Sequence, residues 1–175
     1  MANREALREL QSRLAARLQQ ARTEARPQSW LAVECAGQGL LVPLPTAGEI
    51  FPVGTLLPVP HTQPWFMGVA NLRGGMHGVV ELAAFLGLRA PLAREAVREG
   101  ARLLAFNANV GPHCAVLVDR LAGLRSAAQL TAEPADEVTR PAFAGAVYVD
   151  GDGRRWQELD LAALARNEQF LAIAA

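Results

Sequence analysis

Two hydrophobic periods run along this chain. Over the first 26 residues Leu7, Leu10, Leu14, Leu18 and Ala21 recur at helical spacing and fall in one narrow stripe. Arg4, Arg8, Arg13, Arg17 and Arg22 lie among Glu5, Glu9 and glutamines on the remaining faces. The pattern predicts an amphipathic helix that ends before Pro27, because the residue ahead of a proline is pushed out of the helical region. From Ser29 the period shortens. Residues 30–35 and 40–44 read as short strands around the turn Gly37-Gln-Gly39, and Glu49 to Val53 continues in extended form. Prolines at 43, 45, 52, 58, 60 and 64 exclude a long helix there.

The apolar stretches Phe66 to Leu72 and Met76 to Leu82 flank Arg73-Gly-Gly, which predicts a hairpin because glycine supplies the positive φ of a tight turn. Met76, Gly78, Val80 and Leu82 would share one face and His77, Val79 and Glu81 the other. A short helix over 82–86 should stop at Gly87, and Pro91 to Arg98 predicts another helical turn or two. Strands are predicted over 102–106 and 113–119, then over 144–150 and 154–159 around Gly151-Asp-Gly153. The polar stretch 126–141 reads as irregular, and a last helix is expected over about 161–173. Many short strands with few helices predict a mostly β barrel or sandwich with two small lobes, roughly 29–88 and 102–160. Residues 1–27 would be an N-terminal helical extension and 28–175 the globular domain.

Composition narrows the function classes. The chain has 175 residues, half of them apolar, and a formal net charge of zero, with 17 arginines and no lysine. It therefore lacks the positive field that neutralising many phosphates requires, and no nucleic-acid partner is expected. No apolar run approaches the ~20 residues of a membrane-spanning helix, and the N-terminus opens with charge. A cytoplasmic protein without direct membrane insertion is expected.

Catalytic candidates are few. Cys35 and Cys114 are far apart and read as buried hydrophobes. His61, His77 and His113 are scattered, and a zinc site from His77, His113 and Cys114 needs the fold to bring them together. Asp150-Gly-Asp-Gly153 opens like a calcium loop, but Leu161 stands where such a loop needs its bidentate glutamate, so it reads as a turn. Ser12, Ser29 and Ser126 lack the surroundings of a nucleophile elbow. Neither catalysis nor a cofactor is expected. What remains is binding, with Arg73 on a hairpin tip from which its planar fork can reach a partner's carboxylate or carbonyls.

Residues 59–88, with Gly68-Val-Ala-Asn71-Leu-Arg-Gly74 and then Gly78-Val-Val-Glu-Leu82, closely resemble the signature of the CheW-like domain family. Glu49-Ile50, Ala115-Val-Leu-Val-Asp119 and Leu159-Asp-Leu161 extend the resemblance over most of 28–173. Gly78 and Glu81 depart from the family's usual proline and aspartate. The resemblance implies two five-stranded SH3-like β-barrel lobes around a shared apolar core, with an added N-terminal amphipathic helix and a C-terminal helix. It implies a non-enzymatic adaptor between the cytoplasmic tip of a methyl-accepting chemoreceptor and the regulatory domain of a CheA-type histidine kinase. Carried over by position, Ala47, Glu49 and Arg73 would face partners, and Val116, Val118, Leu121 and Leu124 would border the inter-lobe groove. Asn71 and Leu72 would be structural, with Gly74 and Gly75 holding Arg73 rigid. The N-terminal extension is similar to those of PilI-type members, which serve pilus chemotaxis systems governing twitching motility. Two other classes stay open: a small metal-dependent enzyme using His77, His113 and Cys114, and a membrane-surface or self-associating module driven by residues 3–22.

Overall fold

The computed structural model of the chain describes residues 28–134 and 140–175. The amphipathic segment expected over 1–27 lies outside them. Eleven strands among the described residues form two sheets. One is six-stranded, in the order β8-β1-β2-β11-β10-β9, and contains β1 (Ser29–Cys35), β2 (Gln38–Pro43), β8 (Arg120–Ser126), β9 (Leu130–Ala132), β10 (Ala144–Asp150) and β11 (Arg155–Leu159). The other is five-stranded, in the order β3-β6-β7-β5-β4, and contains β3 (Ala47–Pro52), β4 (Phe66–Leu72), β5 (Gly75–Glu81), β6 (Arg102–Phe106) and β7 (Cys114–Val118).

Chain connectivity curls each sheet into a barrel-like lobe. The edge strands β8 and β9 are joined only by the 3₁₀ turn Ala127–Gln129, so the two edges of the first sheet must lie together. In the second sheet, the chain leaving edge strand β3 pairs with the opposite edge β4 through Leu57 and Val69, which exchange backbone hydrogen bonds of 2.8 and 2.9 Å. At that seam Gly68 has φ +119°, and a Cβ there would lie 2.1 Å from the Leu57 carbonyl oxygen. Only glycine allows so close an approach.

The lobes are not consecutive halves of the chain. The predicted division at 29–88 and 102–160 is corrected by the parallel pairing of β11 with β2, Trp156 opposite Gly39 and Glu158 opposite Leu41. This pairing returns the C-terminal strands to the N-terminal hairpin, while β3 to β7 close on themselves. Strands β8 and β9, absent from the sequence reading, complete the first sheet. The expected C-terminal helix is two short ones, α2 (Leu161–Leu164) and α3 (Glu168–Leu171). Asp160 caps α2 by accepting from the N–H groups of Ala162 and Ala163, and Asn167 interrupts the run by capping α3 at Phe170 N. The first helix, α1 (Leu82–Phe85), stops ahead of Gly87 at φ +69° as expected.

Strand alternation feeds three cores. Along β7, Val116 and Val118 enter the core shared by the sheets, while Ala115 and Leu117 fill their own lobe. Strand β1 sends Leu31 and Val33 to the shared core and Trp30 and Ala32 to the interior of the first lobe. Both faces of these strands are buried, which is why they read as continuous apolar runs. Phe143, α2 and Phe170 of α3 cover the shared core.

A buried charge relay also ties the lobes together. Glu81, at the end of β5, is fully buried. Arg89 Nε donates to its Oε1 at 2.7 Å, and Leu92 N–H donates to Oε2 at 2.7 Å. The same guanidinium donates through Nη1 to Asp119 Oδ2 at 2.8 Å, while Nη2 lies 2.8 Å from Oδ1 without hydrogen-bond alignment. Asp119 stands between β7 and β8 and accepts the N–H of Ala36, in the β1–β2 turn, at 2.7 Å. Burial alone would push the Asp119 carboxyl up, but the hydrogen bonds from Arg89 and Ala36 outweigh it and hold it below the usual carboxylate range.

Removing Arg89 leaves Glu81 buried without a counter-charge, so Arg89→Ala should cost about 3–5 kcal/mol in denaturant unfolding. A carboxyl whose folded pKa is depressed contributes its stability in full above the ordinary carboxylate range and loses it as pH falls through the folded value. Stability should therefore decline below about pH 5, and Asp119→Asn should make that acid limb shallower. An unchanged limb would remove Asp119 from this role.

Candidate functional site

The hairpin of β4 and β5 pairs Asn71 with Met76 and Leu72 with Gly75, leaving Arg73 and Gly74 as the two-residue tip. Their φ values of 49° and 82° are the pair of positive angles that a type I′ turn requires, and that turn matches the twist of the flanking strands. Gly74 accepts this at no steric cost, whereas Arg73 occupies a region that disfavours side chains by roughly 1–2 kcal/mol. Gly75 opens β5 and lies outside the positive-φ pair, so the turn geometry expected of both glycines rests on Gly74. Asn71 Oδ1 accepts the Gly74 N–H at 2.8 Å, and buried Leu72 anchors the hairpin in the second lobe.

Arg73 projects from this tip with three-quarters of its side chain in solvent, its Nη2 2.5 Å from Glu49 Oε1. Glu49 lies on β3 within the register shift between Ala47 and Ile50, a bulge of the kind that re-aims a side chain out of the ladder. The structure thus brings Glu49 and Arg73 together. Ala47 sits at the start of the bulge, half-buried against the shared core. Open cavities of about 370 and 280 Å³ flank the pair, both lined by Leu72, Arg73, His77 and Phe106.

The other four predicted contact residues divide. Leu121 and Leu124 on β8 pair with Val33 and Leu31, so they share the face turned to the shared core. Leu121 packs against that core, and Leu124 is 62% exposed at its margin. Val116 and Val118, in contrast, have no exposed surface and belong to the interior, which corrects their assignment to a groove border. They lie on a central strand, between β6 and β5, where both faces are covered.

The three zinc candidates do not assemble. His77 and His113 meet with ring centres 5.3 Å apart, but Cys114 is buried with Sγ 3.8 Å from its acceptor, the Ala115 carbonyl oxygen. Burial pushes its thiol up to about 12, and that of Cys35 likewise, so neither is a ready thiolate. Among the described residues no three His, Cys, Asp or Glu side chains converge to hold a metal ion. Asp150 Oδ1 accepts the N–H groups of Asp152 and Arg154 at 3.0 Å each, closing the β10–β11 turn. Sequence reasoning missed the joint roles of Glu81, Arg89 and Asp119. The one visible signal was a glutamate inside an apolar run.

Two curled sheets sharing one core, with a charged hairpin tip at the surface, define a double-barrel domain. The family model described as the CheW-like domain matches residues 29–169, and the chain belongs to that family. Its fold is similar to the crystal structure of the scaffolding protein TtCheW from Thermoanaerobacter tengcongensis, with a TM-score of 0.64 at 17% sequence identity. That match covers 79% of this chain and 88% of the other. No curated protein sequence matches the chain. No helix among the described residues is long and apolar enough to cross a membrane.

The ion pair of Arg73 with Glu49 is exposed and worth at most about 1 kcal/mol, comparable to the backbone strain at Arg73. Arg73→Gly should therefore unfold within about 0.5 kcal/mol of the original chain in urea, although it deletes the side chain and the ion pair. A loss of several kcal/mol would make Arg73 a folding residue.

Proposed function

We propose that this protein is a non-enzymatic adaptor of a chemosensory system, joining the cytoplasmic tip of a methyl-accepting chemoreceptor to the regulatory domain of a CheA-type histidine kinase. The observation that carries the reading is Arg73. A long cationic side chain is kept in a strained backbone position, at the tip of a rigid hairpin, with most of its length in solvent. Nearly the same pair of angles, 50° and 82°, recurs at Ala36-Gly37 in the β1–β2 turn, so the strain belongs to the tight hairpin itself, and what distinguishes Arg73 is the exposed charge it carries there. Membership of the CheW-like family supplies the kind of partner.

In this reading Arg73 and Glu49 orient a partner through charge, and Ala47 borders their surface. Leu124, with Leu121 behind it, offers an apolar margin against which a receptor helix can lie. Interfaces of this kind are small and individually weak, and they gain strength when many copies are arrayed. The N-terminal leucine stripe favours a PilI-type member serving type IV pilus twitching motility. The adaptor acts in the cytoplasm, where receptor tips and kinase lie.

Arg73→Ala should weaken capture of the receptor-tip fragment or the kinase regulatory domain by about 1–2 kcal/mol, or roughly 5–30-fold, while costing at most about 1 kcal/mol of folding stability. Equal binding by the substituted protein in a titrated pull-down would overturn the assignment of Arg73. Recovery of a flagellar rather than a pilus kinase with the adaptor would overturn the twitching assignment alone.

A further inference from the structure

We propose that His77 and His113 form a two-imidazole site for a first-row transition-metal ion of the Zn²⁺ or Ni²⁺ type, at the root of the Arg73 hairpin. The site follows from strand register. Strand β5 runs parallel to β7 with Gly78 opposite Cys114, and Gly78 N–H donates to the His113 carbonyl at 3.0 Å. His77 and His113, one residue earlier on each segment, are therefore cross-strand neighbours. Period-two alternation turns the Cys114 side chain into the shared core and leaves the imidazoles at the surface.

The rings meet edge to face, at a centre spacing that two ligands of one ion would also have. A metal about 2.0–2.1 Å from one nitrogen of each ring places the ring centres roughly 5 Å apart in a tetrahedral arrangement. The observed separation is 5.3 Å, with the rings at 77° to each other. His77 Nδ1 lies 3.0 Å from the Gly75 carbonyl oxygen, which can only accept, so Nδ1 carries the proton and Nε2 keeps its lone pair. A backbone carbonyl fixing the tautomer in this way is the usual support of a metal-binding histidine.

Both rings line the 280 Å³ cavity beside Arg73, which is open enough to admit water as further ligands. The Arg73 charge on that cavity is countered by Glu49. Two imidazole nitrogens with no thiolate select ions that favour imidazole, namely Zn²⁺, Ni²⁺ and Cu²⁺. The ion would tie β5 to the segment entering β7. Its open coordination positions would face outward, available to a carboxylate or imidazole of a docked protein.

The test is isothermal titration of the full chain, free of any histidine tag, with ZnCl₂ and separately with NiCl₂. One equivalent should bind. His77→Gln and His113→Gln should each weaken binding about 10–100-fold, the double substitution should abolish it, and His61→Gln and Cys114→Ala should leave it unchanged. His113 is exposed and His77 half-buried, so melting curves without metal should show every histidine variant folded. Binding retained by the double variant, or binding by the original chain no tighter than by that variant, overturns the site. The readout needs no receptor or kinase, so it stands or falls apart from the adaptor reading.

Discussion

The guanidinium of Arg89 bridges the two lobes at the margin of the apolar core they share. Apolar cores specify which faces are covered, but the attraction is non-directional and tolerates sliding. The Arg89 fork is directional. It reaches Glu81 at the end of the β4–β5 hairpin and Asp119 at the crossing between lobes, and Asp119 continues to the β1–β2 turn. The strand bearing the Arg73 tip is thereby locked at its far end to the opposite lobe. Desolvating three charges is costly, and their mutual hydrogen bonds with two backbone N–H groups offset that cost only in this one arrangement.

From that fixed base the hairpin tip tolerates strain. Arg73 sits at positive φ because buried Leu72, the Asn71 hydrogen bond to Gly74 and the paired strands over-determine the turn. The bulge in β3 turns Glu49 out to meet it. In the proposed role, a surface built on strands rather than on a free loop presents its charge with little ordering entropy left to lose.

Local features were legible in the sequence and long-range ones were not. Glycine after Asn-Leu-Arg placed the hairpin tip, and apolar alternation placed β4 to β7 closely. The strand partners escaped because alternation sets faces without naming neighbours, and β11 returns to β2 from the far end of the chain. Strand β8 escaped because its burial does not alternate and Gly123 interrupts it with φ +93°. Val116 and Val118 share the apolar character of Leu124, and only the sheet order separates a central strand from an exposed edge. The Glu81, Arg89 and Asp119 relay joins residues 8 and 30 positions apart, with no spacing rule to announce it.

The central claim is that this domain bridges two other proteins and performs no reaction. Sedimentation velocity on three purified components, the full chain, a chemoreceptor-tip fragment and a CheA-type regulatory domain, tests it most directly. The account predicts that receptor fragment and kinase domain enter one fast-sedimenting species only when the chain is present. A chain that sediments alone in every mixture, or that binds one component while excluding the other, would contradict it.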